Sequence, residues 1–308
     1  MKELTILSEN YLNYCEYQKR LDPKTLKAYQ IDLKQFINEF PNTFIDDITT
    51  KTLENYIAAL HQNYKPKTVK RKIASLKAFF NYLEYRETIE KNPFSKIHIR
   101  FREPVILPKT IPLNTVEALL SSIYKQHSQA ITTYQKRTTL RDIAVVEVLF
   151  STGIRISELC NLKPSDVNLS DGILLIYGKG SKERRIQICN LQVLDILKQY
   201  NAEFHTEIKN SNHFFANQSG HPLSDQAVRR MINKYTSIAC IDQHITPHMF
   251  RHTFATSLLE ADVDIRYIQE MLGHSSINIT EIYTHVAVSK QADILATKHP
   301  RMGFKMQP

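Results

Sequence analysis

Between Asn92 and Pro112 the chain carries Pro93, Pro104, Pro108 and Pro112, with Lys96, Arg100, Arg102 and Lys109 among them and no sustained helical or strand period. Proline fixes φ and lacks the backbone N–H, so a stretch this rich in it cannot run through a helix or a central strand. It predicts an extended basic linker over 96–112, dividing the chain into domains at 1–95 and 113–308. The length of 308 residues agrees, because a domain takes about 150 residues. A hydrophobic fraction of 42% is enough for real cores and disfavours disorder, and only 7 glycines speak against a glycine-rich sandwich or glycine-loop nucleotide fold.

The period on either side of the linker is mostly helical. Asp22-Pro23 is an N-cap followed by proline at the first helical position, and Leu26, Tyr29, Leu33, Phe36, Ile37 and Phe40 follow at steps of three and four until Pro41. A second helix is predicted from about Lys67 to Tyr85, with Val69, Ile73, Leu76, Phe79, Phe80 and Leu83 on one side. Its opening holds Lys65, Lys67, Lys70, Arg71, Lys72 and Lys77 with no acid between them. A basic run is often just a solvated helix face. Concentrated on one helix beside an apolar stripe, it also suits a surface that tracks phosphates. The chain as a whole has 40 Lys plus Arg against 31 Asp plus Glu, a formal +9, which favours a polyanionic partner.

After the linker, Asn114-Thr-Val-Glu117 reads as a capping-box-like helix start, residues 123–141 as a polar helix extension or loop, and Ile143 to Phe150 as an apolar helix ending at Gly153. Ile173 to Tyr177, a glycine turn at Gly178-Lys179-Gly180, and Arg184 to Cys189 form a predicted hairpin. Helices are expected from Leu191 to about Thr297. No apolar run reaches the ~20 residues that span a bilayer. The N-terminus has no apolar h-region, so a cytoplasmic location without membrane contact is expected. Cys15, Cys160, Cys189 and Cys240 are widely spaced and read as reduced thiols.

Six residues of the second domain fall where local structure changes direction. Arg155 lies just past a helix stop, Lys179 at the hairpin tip, and His248 and Arg251 three apart on one helix face after Thr246-Pro247. His274 follows Leu272-Gly273, and Tyr283 stands in Ile282-Tyr-Thr-His285. Each alone has an ordinary structural explanation. Together they are an inventory for cleaving a phosphodiester with neither a metal nor another cofactor. Arginines can hold the non-bridging oxygens and the added charge of the transition state. A phenol can be the covalent nucleophile. With a pKa near 10, only about one phenol in a thousand is ionised at neutral pH, a deficit of roughly 4 kcal/mol. Neighbouring guanidinium groups and a histidine base can offset it. A lysine on a hairpin could protonate the departing 5′-oxygen.

These stretches resemble the tyrosine recombinase (integrase) family, and the Xer recombinases in particular. The resemblance is carried by Thr152-Gly-Ile-Arg-Ile-Ser-Glu-Leu159, Tyr177-Gly-Lys-Gly-Ser-Lys-Glu-Arg184, Thr246-Pro-His-Met-Phe-Arg-His252, Leu272-Gly-His-Ser-Ser276 and Ile282-Tyr-Thr-His-Val286. It covers most of the chain after residue 110. The basic N-terminal helices resemble the family's core-binding domain less strongly. The resemblance implies a mainly α protein: an N-terminal helical bundle (SAM-like core-binding domain) and a mostly helical catalytic domain with a small antiparallel β-sheet. It implies Arg155 and Arg251 as the phosphate-binding arginines, Lys179 as proton donor, His248 as general acid/base, His274 as a further donor to the phosphate and Tyr283 as the nucleophile forming a 3′-phosphotyrosyl link. Glu158 matches the acidic residue that supports Arg155 from behind. Lys182, three residues beyond Lys179, is the less favoured proton donor. The implied partner is double-stranded DNA, held by a homo- or hetero-tetramer on two sites, each subunit lending roughly Ala287 to Pro308 to its neighbour. The stretch from Lys125 to Arg137 is longer than Xer proteins usually have.

Three other readings compete. A zinc hydrolase would use His248 and His252 at i, i+4, but Met249 stands where its glutamate would be. A non-catalytic helical DNA-binding regulator explains the charge and not the six residues. A type IB topoisomerase shares the chemistry and differs in assembly. The favoured expectation is a site-specific recombinase whose two domains clamp duplex DNA, with Lys65, Lys67, Lys70, Arg71, Lys72, Lys77, Arg100 and Arg102 on its backbone.

Overall fold

The computed structural model describes residues 3–41, 43–97, 109–178 and 183–273. The chain divides into two compact units, Met1–Val105 and Ile106–Pro308. Among the described residues no helix is long and apolar enough to cross a membrane.

The first unit is a bundle of α1 (Leu4–Asn13), α2 (Pro23–Glu39), α3 (Thr50–Asn63) and α4 (Pro66–Tyr85). Asp22 caps α2 as its sequence foretells, accepting from the Lys24 N–H at 2.8 Å, with Pro23 in the first turn. Thr49 caps α3 in the same way. Val69, Ile73, Leu76, Phe79, Phe80 and Leu83 of α4 are all buried and meet Tyr11, Phe36 and Tyr56. Phe36 and Phe80 pack edge to face at 6.1 Å between ring centres, and Tyr11 tilts against Phe79 at 5.5 Å. Phe94 and Ile97 complete this core, so it runs slightly beyond the expected boundary at residue 95.

The second unit opens with α5 (Leu113–Ser128) and α6 (Thr133–Thr152). The expected start of α5 at Asn114 is displaced: Pro112 occupies the N-cap and no side chain caps the helix. Ile111, assigned to the linker by sequence, is buried here, its N–H donating to Thr253 Oγ1 at 2.8 Å. The polar stretch 123–141 becomes the end of α5, a turn and the start of α6, where Thr132 and Gln135 form a capping box. Ile143, Ala144, Val145, Val146, Val148 and Leu149 are buried all round α6, which makes it the central helix of the unit. Gly153 ends α6 at φ +61°, where a Cβ would come 2.7 Å from the Phe254 ring.

Next come α7 (Ile156–Cys160) and a three-stranded antiparallel sheet of β1 (Val167–Asn168), β2 (Ile173–Tyr177) and β3 (Glu183–Gln187), in that order. Leu174 faces Ile186 and Ile176 faces Arg184 across the β2–β3 pair. Residues 191–273 are mostly helical, as expected: α8 (Leu191–Glu203), α9 (His205–Ser211), α10 (Asp225–Ile238), α11 (Pro247–Glu260) and α12 (Ile265–Leu272); the expected continuation to about Thr297 lies outside the described residues. Tyr200 pins the loop after α9, its hydroxyl donating to the Phe214 carbonyl and accepting from the Ala216 N–H. Leu259, Ile268 and Leu272 form a separate small core that seats α12 on α11.

Candidate active site

Arg155 occupies the N-cap position of α7. Glu158, one turn on, reaches back to accept the Arg155 backbone N–H at 2.8 Å and its Nη1 at 2.7 Å. The short helix is thus closed at its start by the carboxylate that also aims the guanidinium. Glu158 is buried, whereas the Arg155 side chain retains 29% of its exposure. Arg155 can therefore meet a ligand while its support stays behind it.

His248 and Arg251 project from the first turns of α11, which starts at Pro247 as its sequence requires. Arg251 is buried and donates from Nη1 to the Gly153 carbonyl at 2.9 Å and from Nη2 to the Leu272 carbonyl at 2.7 Å. These bonds fix it between the end of α6 and the end of α12. Burial, and then Arg155, lower its pKa below the ordinary arginine value, with Arg184 adding to the effect and Glu158 opposing it. It remains charged at neutral pH. The His248 pKa is also lowered, by partial burial first and then by Arg229, Arg251 and Arg155, while Asp225 opposes. At neutral pH its imidazole is mainly neutral, the form that can accept a proton.

Two contributors were not legible as functional in the sequence. Arg184 makes a bidentate pair with Glu158, from Nη2 to Oε2 at 2.7 Å and from Nη1 to Oε1 at 3.1 Å. Burial pushes the Glu158 carboxyl up, and the hydrogen bonds from Arg184 and from Arg155 outweigh it, leaving the pKa below the usual carboxylate value. Arg229 of α10 supplies part of the positive field on His248. For Arg184 a signal existed: it stands two residues before Ile186 in an alternating strand, which turns it toward the core. For Arg229 there was none beyond its charge.

Lys179, His274 and Tyr283, with Lys182, Arg100 and Arg102, lie outside the described residues. Of the predicted set, the structure brings together Arg155, Glu158, His248 and Arg251. Among the described residues no group of three or more His, Cys, Asp or Glu is placed to hold a metal ion.

The basic run of α4 divides in two. Lys65, Lys67, Lys70 and Arg71 are exposed and Lys77 is half-buried over the Phe94 ring. Lys72 corrects the sequence reading. It is 3% exposed, its ammonium bound to Asp32 at 3.2 Å and to Gln35. Arg71 also pairs with Asp32, and Ser75 donates to it at 2.8 Å. The charge on α4 is therefore partly compensated, from a residue 39 or 40 positions upstream. A buried ammonium beside a carboxylate is a structural pair, not a surface for phosphate.

The guanidinium groups of Arg155 and Arg184 thus gather round the Glu158 carboxylate, with Arg251 and a largely neutral His248 within their electrostatic reach, an arrangement chemically suited to an anion and a proton. Comparison with known proteins identifies the class further. Residues 121–290 match the phage integrase family, and residues 9–87 match the phage integrase N-terminal SAM-like domain. A tyrosine recombinase of Agathobacter rectalis is 69% identical over 304 residues, 99% of each chain. Tyrosine recombinase XerD of Listeria innocua is 35% identical over 304 residues, 96% of this chain and 99% of its own. Among solved structures, the fold matches XerH recombinase bound to palindromic difH substrate with a TM-score of 0.74 at 23% identity, over 94% of this chain and 84% of that one. The chain belongs to the phage integrase family and is a tyrosine-type, Xer-like site-specific recombinase.

Proposed function

We propose that the protein cleaves and rejoins duplex DNA through a 3′-phosphotyrosyl intermediate formed by Tyr283. The reading rests chiefly on the Arg155–Glu158 pair held beside Arg251 and His248. In the first step the Tyr283 phenol attacks the scissile phosphorus and His248 takes its proton. The phosphorus bond to the 5′-oxygen breaks, and Lys179 gives that oxygen its proton. Arg155 and Arg251 hold the non-bridging oxygens, with His274 as a further donor. Two guanidinium groups supply to the five-coordinate transition state a charge that the ground-state phosphate needs less. The covalent bond keeps the energy of the broken one, so a new 5′-hydroxyl can reverse the sequence on a second duplex without ATP.

The exposed cations of α4 hold the DNA backbone in this reading. Two copies on each of two sites assemble as a tetramer, and the segment after Ala287 passes to a neighbour. Solved relatives include a lambda integrase tetramer bound to a Holliday junction, which supports an assembly of that kind. The test uses nicked duplexes selected from a random library by binding. The wild-type chain is expected to form a denaturation-resistant adduct with one of them, and Tyr283→Phe to bind equally and form none. An adduct made by Tyr283→Phe overturns the assignment.

A further inference from the structure

Arg184 has no part in the phosphate chemistry above, yet each of its three guanidinium nitrogens donates a hydrogen bond. Besides the bidentate pair with Glu158, its Nε donates to the Met271 carbonyl at 2.8 Å. Its side chain is only 7% exposed, against 29% for Arg155 on the same carboxylate. Substrate can therefore reach Arg155 and not Arg184.

Met271 and Leu272 end α12, and the last carbonyls of a helix have no partner within it. Arg184 takes the first and Arg251 the second, at 2.8 and 2.7 Å. Gly273 follows at φ +65°, and a Cβ there would lie 2.9 Å from Arg184 Cδ and Nη1. The glycine is what leaves room for the arginine. In the sequence, His274 comes next, and Tyr283 nine residues later.

We propose that Arg184 is a positioning residue for strand cleavage: it locks the end of α12, from which the His274 and Tyr283 segment departs, to the Glu158 carboxylate that aims Arg155. The proposal rests on the roles given above to Arg155 and Tyr283. A planar guanidinium suits it because three donors in fixed directions serve a carboxylate and a carbonyl together, which a lysine ammonium does not reproduce. Arg184 touches no reacting atom. Its loss leaves DNA contacts in place and lets the two halves of the site drift apart, a misplacement that costs on the order of 100-fold in rate.

The 308-residue chain and its Arg184→Gln, Arg184→Lys and Gly273→Ala variants are compared on a nicked duplex in single turnover, below the melting temperature of each. Arg184→Gln is expected to slow adduct formation about 100-fold while the DNA dissociation constant moves less than about 3-fold. Arg184→Lys, which keeps the charge, should recover part of that loss. Gly273→Ala, which crowds Arg184 without changing any charge, should slow cleavage in the same direction. Cleavage by Arg184→Lys at the wild-type rate overturns the proposal, even if Arg184→Gln does not fold. So does a loss that merely follows weakened DNA binding. Tyr283→Phe run in parallel separates the two ideas: an adduct there refutes the nucleophile assignment, while the Arg184 effect is still read on whatever adduct forms.

Discussion

The Gly153 carbonyl accepts a 2.9 Å hydrogen bond from Nη1 of Arg251, between residues 98 positions apart in sequence. It joins the turn that presents Arg155 to the helix that presents His248 and Arg251. The two arginines proposed to share one phosphate are thus tied through backbone, not left to side-chain chance.

Gly153 makes that turn possible, so Gly153→Ala is expected to be costly. An L-residue at φ +61° loses about 1–2 kcal/mol, and forcing a methyl to 2.7 Å from the Phe254 ring adds about 1–3 kcal/mol. Urea unfolding should show a loss of roughly 2–5 kcal/mol, the two terms adding. A loss below about 0.5 kcal/mol, the scale of an ordinary surface change, would mean the turn relaxes freely.

His248 should be neutral to a lower pH than an ordinary histidine, because partial burial and then Arg229 depress its pKa. As a base it works only when neutral, so the acid limb of the cleavage profile should lie below pH 6.5. Arg229→Gln removes a positive neighbour, raises the His248 pKa and moves that limb to higher pH. Ring-proton NMR titration of the two proteins checks the sign directly, and an unmoved His248 resonance refutes the assignment of Arg229.

The depressed pKa of Glu158 means that the folded state binds its proton less readily than the unfolded chain. The stability it contributes is present above the ordinary carboxylate value of 4.5 and is lost as pH falls through the lower folded value. Glu158→Gln leaves Arg184 buried without its carboxylate, a loss of about 3–5 kcal/mol at neutral pH. The stability gap between wild type and variant should hold steady from pH 7 to about pH 5 and narrow below 4.5. A gap constant through the acid range would show that the charge of Glu158 does not matter.

The cations of α4 should behave as two kinds. Lys67→Ala removes an exposed charge and is expected to lower the slope of log affinity against log salt by about 0.9 without altering stability. Lys72→Met should leave that slope unchanged. Asp32→Ala strands the buried Lys72 and should destabilise the first unit by about 3–5 kcal/mol. Equal salt slopes for wild type and Lys67→Ala would remove Lys67 from the DNA surface.

Much of the architecture was legible because its causes are local. Asp22-Pro23, Thr246-Pro247 and Gly153 mark helix ends through capping, fixed φ and left-handed backbone, each decided within a few residues. The β2–β3 pairing follows from alternation. Arg155, His248 and Arg251 stood out in the sequence because their residue types and positions suit a chemistry that simple core packing would not require, and Glu158 was marked only by the resemblance to the tyrosine recombinase family.

The order of residues along the chain is enough to show which side chains could act and roughly where the helices and strands run. The surroundings of each cation are settled by folding, which brings distant partners against it. In the basic run, Lys72 looks like its neighbours, and it is buried because α2 brings Asp32 against it. In the hairpin, Arg184 reads as one of two adjacent strand arginines, and it is buried because α7 and α12 offer it a carboxylate and a carbonyl at once. Helix and strand periods are set by neighbours along the chain. The fate of a charge is set by what lies across from it in space, and here those partners come from 26 to 87 residues away.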